Sequence, residues 1–159
     1  MKRFAYMTSG AALAMILTLT LAATPADDPK AAGEVIDVTK AEWAAAMDKD
    51  VSRSLQNVAS DCTIFESDLP TRLEGRAMIR RFAEGNTSGA GELITAEMVN
   101  EKVQVYGDTA VLSYNFLGQV KTADGQIKPI TAKSTRVYVR DGGQWWLVHA
   151  NFAPITIAE

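Results

Sequence analysis

The chain has 159 residues and a formal net charge of −3, from 16 Lys and Arg against 19 Asp and Glu. That length holds one domain of ordinary size and not two, and the slight acidic excess excludes the basic stripe that nucleic-acid binding needs. A single cysteine, Cys62, excludes an intramolecular disulfide, and a single histidine, His149, leaves no set of donors at metal-ligand spacing, so neither metal nor cofactor is expected.

Residues 1–23 read as a secretory signal peptide. Lys2 and Arg3 form a positive start, residues 11–21 are apolar apart from threonines, and Ala22, Ala23 and Ala26 offer cleavage points at about residues 22–26. The apolar run is shorter than the ~20 residues a spanning helix needs. The mature form is therefore expected to be periplasmic or secreted, with no membrane contact. A mature chain of about 130 residues buries close to two thirds of its unfolded surface, enough to fold without staples.

Residues 27–38 read as a mixed-polarity lead-in, and the folded domain is expected over 39–155. Thr39-Lys40-Ala41-Glu42 has the form of a capping box. From there Trp43, Met47, Val51, Leu55 and Val58 recur at spacings of four and three, one apolar stripe on a helix of about five turns. Residues 62–65 form a short strand candidate ahead of the turn-rich Ser67-Asp68-Leu69-Pro70. A second helix is expected over 76–84, with Met78, Ile79 and Phe82 inward. The glycine- and serine-rich stretch 85–91 reads as a loop. The rest alternates as strand, over 99–106, 110–120, 130–140 and 145–152, with turns at Gly107-Asp108, 123–126 and Gly142-Gly143. Helices first and an antiparallel meander afterwards is α+β.

The last hairpin allows a geometric expectation. With a two-residue turn, even positions on its first strand share a face with odd positions on its second. One face then carries Ser134, Arg136 and Tyr138 with Trp145, Leu147, His149 and Asn151. The other carries Thr135, Val137 and Val139 with Trp146, Val148, Ala150 and Phe152, apolar enough for a core or a dimer surface. A polar cluster set among aromatic rings is what a ligand pocket looks like, and a bulge or a three-residue loop would undo the assignment.

The stretch Val103-Gln104-Val105-Tyr106-Gly107-Asp108-Thr109-Ala110-Val111, then Asp124-Gly125, Thr135-Arg136-Val137-Tyr138, Gly143-Gln144-Trp145 and Val148-His149, resembles the association (hub) domain of calcium/calmodulin-dependent protein kinase II. Upstream, Thr63-Ile64-Phe65-Glu66 and Leu73-Glu74-Gly75 resemble the same domain, and the likeness covers nearly all of 39–154. It implies the nuclear transport factor 2-like fold, a curved antiparallel sheet wrapped around a long helix and shorter ones in a cone-shaped, cystatin-like roll. SnoaL-like polyketide cyclases and ketosteroid isomerases share that fold. The resemblance also implies a pocket lined by Arg136, Glu66 and His149, and homodimers formed through the sheet. Asn151 stands where the hub has a second histidine and Phe116 where it has a pocket arginine, which makes the cavity less basic.

Three functions are compatible with this reading. The first is an exported binding or association module whose pocket, between the first helix and the sheet, takes a small, partly apolar or acidic ligand. Arg136, Tyr138, Tyr114, Trp145, Asn151 and Trp43 are the residues expected around that ligand. The second is a SnoaL-like or ketosteroid-isomerase-like lyase or isomerase with Glu66 or His149 as general base. The third is a purely structural oligomerisation domain. Within the pocket, Arg136 would either pair with Glu66 or meet a carboxylate ligand.

Overall fold

The computed structural model describes residues 28–67, 69–87 and 91–155, so the signal-peptide reading of residues 1–23 lies outside the described part. Helix α1 spans Pro29–Met47. The Asp28 carboxylate accepts a hydrogen bond from the Ala31 amide at 2.9 Å, and Pro29 takes the first helical position, where a missing N–H costs nothing. The expected lead-in is thus the first half of the helix. Thr39 is not a cap: it lies mid-helix and buried, its hydroxyl donating to the Val35 carbonyl at 2.8 Å.

The long apolar stripe also breaks sooner than its spacing implies. The chain leaves α1 through Lys49, in the left-handed region at φ 60°. Asp50 then accepts from the Arg53 amide at 3.0 Å and caps a second short helix, α2, Val51–Ser54. Strand β1 starts at Val58 and runs to Phe65. Trp43, Leu55 and Val58 still meet in one core, but from two helical segments and a strand. The third helix, α3, Arg76–Gly85, follows the two-residue strand β2, Leu73–Glu74. Ile79 is buried and Phe82 packs against the core, whereas Met78, expected inward, is exposed.

Four long strands complete the domain: β3 Glu92–Tyr106, β4 Thr109–Lys121, β5 Ile127–Asp141 and β6 Gln144–Pro154. They join β1 and β2 in a six-stranded sheet of order β2-β1-β6-β5-β4-β3. All pairings are antiparallel except β1 with β6, which run parallel. Strand β3 starts well before residue 99 and carries two register shifts; Asn100, at one of them, takes φ 55°, a conformation Asn tolerates. The helices cover one face of this sheet. That inner face holds Leu112, Tyr114, Tyr138, Trp145, Leu147 and Ala150, all buried.

Close approach of β3 to β4 depends on Gly118. A Cβ there would lie 2.8 Å from the Thr95 carbonyl oxygen and 2.8 Å from the Phe116 ring. Backbone cannot yield as a flexible side chain does, so Gly118→Ala is expected to cost about 1–3 kcal/mol, as overpacking does, measured by urea unfolding.

The last hairpin turns through Gly142 and Gly143, both at positive φ, with Asp141 opposite Gln144. The two-residue turn is as expected. The register then slips between Val137 and Tyr138: Tyr138 faces Leu147, but Val137 faces His149. Val148 is the extra residue of a bulge, and beyond it every side chain of β6 changes sides.

Candidate functional site

The bulge corrects the expected pocket. Arg136, opposite Ala150, and Ser134, opposite Phe152, point to the inner face, while His149 and Asn151, opposite Val137 and Thr135, point to the outer one. His149 accepts or donates at 2.8 Å to the Thr63 hydroxyl on β1 and meets the Phe65 ring edge-on at 6.1 Å. Asn151 is exposed beside it. Neither residue shares a site with Arg136.

Beneath the inner face lies a half-open cavity of about 500 Å³, bounded by α1, α2, α3 and the concave sheet. Trp43, Leu55, Ile79, Phe82, Phe116 and Phe152 supply much of its apolar wall. Its charged lining residues are Glu42, Lys49, Glu66, Glu92 and Arg136. Of the residues expected around a ligand, Arg136 and Trp43 line it, and so does Glu66. Tyr114 and Tyr138 sit behind Arg136 as its supports, not in the wall. Trp145 is displaced further: its indole N–H donates to Glu34 at 3.1 Å, with Arg140 stacked 4.4 Å over the ring, which ties the first half of α1 to the hairpin.

Arg136 is 3% exposed, and its carboxylate partner is Glu42 of α1, not the expected Glu66. The fork is bidentate, Nη1 to one Glu42 oxygen at 2.7 Å and Nη2 to the other at 3.1 Å. Nε donates to the Tyr114 hydroxyl at 3.0 Å and Nη1 also reaches the Tyr138 hydroxyl at 3.4 Å. The guanidinium lies 5.3 Å from the Phe152 ring centre and 5.9 Å from that of Trp43. Burial works against its charge, but Glu42 and the two phenols outweigh burial and hold its pKa well above the ordinary range. Arg136 is a permanent, fully engaged cation.

The network continues into the helix. Tyr138 and Thr39 hydroxyls are 2.8 Å apart. Because the one Thr39 hydroxyl proton goes to the Val35 carbonyl, Tyr138 donates to Thr39 and accepts from Arg136. Burial, the largest influence, pushes the Tyr138 phenol above its ordinary pKa despite the opposing Arg136 charge, so it stays a donor. Thr39→Val keeps the volume but leaves a buried phenol without its acceptor. The expected cost is about 1–3 kcal/mol in a denaturant titration.

Glu42 is the residue that sequence reasoning misplaced, as the reciprocal partner of a cap at Thr39. Its signal was its spacing: three residues from Thr39 and adjacent to Trp43, it shares their face of the helix. The cavity has the means to hold an apolar molecule against aromatic walls with a few polar groups at its edge. Among the described residues no cluster of three or more His, Cys, Asp or Glu side chains is placed to hold a metal ion.

Comparison with known proteins agrees with this architecture. The sequence matches the family model described as the calcium/calmodulin dependent protein kinase II association domain over residues 31–155. No curated protein matches the sequence. Among solved structures, the association domain of the kinase from C. elegans superposes with a TM-score of 0.65 at 24% identity, covering 79% of this chain and 96% of that one. An NTF2-like protein from Pseudomonas putida KT2440 gives 0.68 at 20% identity, covering 82% and 91%. A protein with a cystatin-like fold from Nostoc punctiforme gives 0.63 at 14% identity, covering 78% and 90%. With a match across residues 31–155 and a sheet and helix arrangement to suit it, the chain belongs to the calcium/calmodulin dependent protein kinase II association domain family.

Proposed function

We propose that this chain is an exported, non-catalytic association module, in which two copies pair through the outer face of the sheet and the cavity beneath the inner face takes a small, partly apolar ligand. One observation carries the reading: strand alternation in β5 and the start of β6 sorts the side chains into two unlike faces. Outward go Val137, Val139 and Trp146, level with Val111 and Thr109 of β4. They form a largely apolar patch, with the Arg76 guanidinium over the Trp146 ring at its margin, suited to a second copy of itself across a two-fold axis. Inward goes Arg136, into the wall of the cavity. Membership of a family named for association favours the same occupant for the outer face.

Sedimentation velocity tests the pairing. The wild-type protein is expected to sediment as a dimer or larger, and Val137→Glu, which buries two like charges near the axis, as a monomer with unchanged far-UV circular dichroism. The cost of those charges is roughly 2–4 kcal/mol. A wild-type monomer at micromolar concentration would sink the proposal.

A second reading, a lyase or isomerase of the SnoaL-like or ketosteroid-isomerase-like type, is favoured by Glu66, a carboxylate in an apolar-walled cavity where a general base would stand. Turnover of an enolisable substrate, abolished by Glu66→Gln, is the result that would establish it. His149 drops out of this reading, since it lies on the other side of the sheet.

A further inference from the structure

Resting on the cavity reading above, we infer that the site selects an apolar molecule carrying hydrogen-bond donors, an alcohol or an amine, and discriminates against carboxylates. The inventory of its lining is the reason. Three carboxylates, Glu42, Glu66 and Glu92, stand against two cations, Lys49 and Arg136. Both cations already have carboxylate partners within the same lining: Arg136 is forked by Glu42, and the Lys49 ammonium lies 3.4 Å from Glu92.

An entering anion would have to displace Glu42 from a bidentate pair that two tyrosine hydroxyls and two aromatic faces hold in place. It would gain one charge-assisted contact at the cost of another and leave Glu42 facing both. A donor meets the opposite situation. A carboxylate has roughly four acceptor positions, and the guanidinium takes one on each Glu42 oxygen. Glu42 keeps 22% of its side chain exposed, so acceptor positions remain within reach of the cavity.

The experiment uses three probes with one skeleton: 2-naphthylmethanol, 2-naphthylmethylamine and 2-naphthoate. Titrated calorimetrically into the purified wild-type protein, the alcohol and the amine are expected to bind at least tenfold more tightly than the acid. In Glu42→Gln, which frees the guanidinium, the order is expected to reverse in favour of naphthoate. Ala83→Trp, at a part-exposed lining position on α3, is expected to weaken all three probes, and it serves whether or not Glu42→Gln folds. Naphthoate binding the wild type as well as or better than the amine would overturn the donor assignment while leaving the cavity reading intact. Binding by none of the three would overturn the cavity reading itself, and the assignment with it.

Discussion

Replacing Glu42 by glutamine is expected to destabilise the fold by about 3–5 kcal/mol, the cost of leaving a buried charge without its counter-charge. Arg136 is 3% exposed and cannot turn to water. It cannot escape by losing its proton either, because its pKa lies far above any working pH. Glutamine keeps the shape and one acceptor oxygen but offers an N–H₂ to a guanidinium that also donates. The partial exposure of Glu42 lets water approach the pair and draws the expectation toward the lower end of that range. A Glu42→Gln loss within about 1 kcal/mol of wild type, the range of exposed pairs, would mean that the fork is open in solution.

Two comparisons isolate the cause. Asp48, exposed beside Arg53, is the control for a surface pair, and Asp48→Asn is expected to cost less than about 1 kcal/mol. The double change Glu42→Leu with Arg136→Met removes both charges from the same volume. It is expected to recover much of the stability lost in Glu42→Gln, because the desolvation of both ions disappears together. Chemical denaturation of the four proteins gives the full set of differences.

What the sequence made legible follows from which forces are local. The order of helices and strands could be read because periods of 3.6 and 2 and the turn glycines at 107, 125, 142 and 143 act within a few residues. The start of α1 was misplaced although its signals, Asp28 before Pro29, were present. Its buried stripe runs through Ala31, Val35 and Thr39, residues too small or too polar to stand out as a core face. The break at Lys49 hid because the stripe kept its phase across it, with Leu55 and Val58 reaching the same core from other elements. The facing of the last hairpin was read half correctly for a single reason. Side-chain alternation carries Arg136 and Trp145 to the inner face, but the bulge at Val148 then reverses His149 and Asn151. A bulge is settled by the strands on both sides, here β5 and the parallel neighbour β1, which is itself irregular between Val58 and Thr63. No property of residues 145–152 taken alone announces it. The same limit applies to the Arg136 partner: Glu42 and Arg136 are 94 positions apart, and only the seating of α1 on the sheet brings them together.

Cys62 carries the second large expectation, a loss of stability at high pH that the Cys62→Ala variant lacks. The thiol lies fully buried on the inner side of β1, a few ångströms' contact from the core and with only the Thr63 carbonyl at 3.8 Å as an acceptor. Burial, reinforced by the Glu42 and Asp61 carboxylates and only partly offset by Arg136, pushes its pKa from 9.0 up to about 12. In the unfolded chain the thiol ionises near its ordinary value. Below that value both states hold the proton and Cys62 contributes its full packing. Between pH 9 and 12 the unfolded state gains stability from ionisation that the folded state is denied, at about 1.4 kcal/mol per pH unit. The stability difference between wild type and Cys62→Ala should therefore shift against the wild type by about 2–3 kcal/mol from pH 8 to pH 11, and subtracting the variant removes the tyrosines and lysines that titrate in the same window. A difference that stays constant with pH would show that the thiolate forms freely inside the fold. The same burial predicts that 5,5′-dithiobis(2-nitrobenzoate) labels Cys62 at pH 8 only at the rate of unfolding, which would keep the one thiol of the chain out of disulfides in an oxidising compartment.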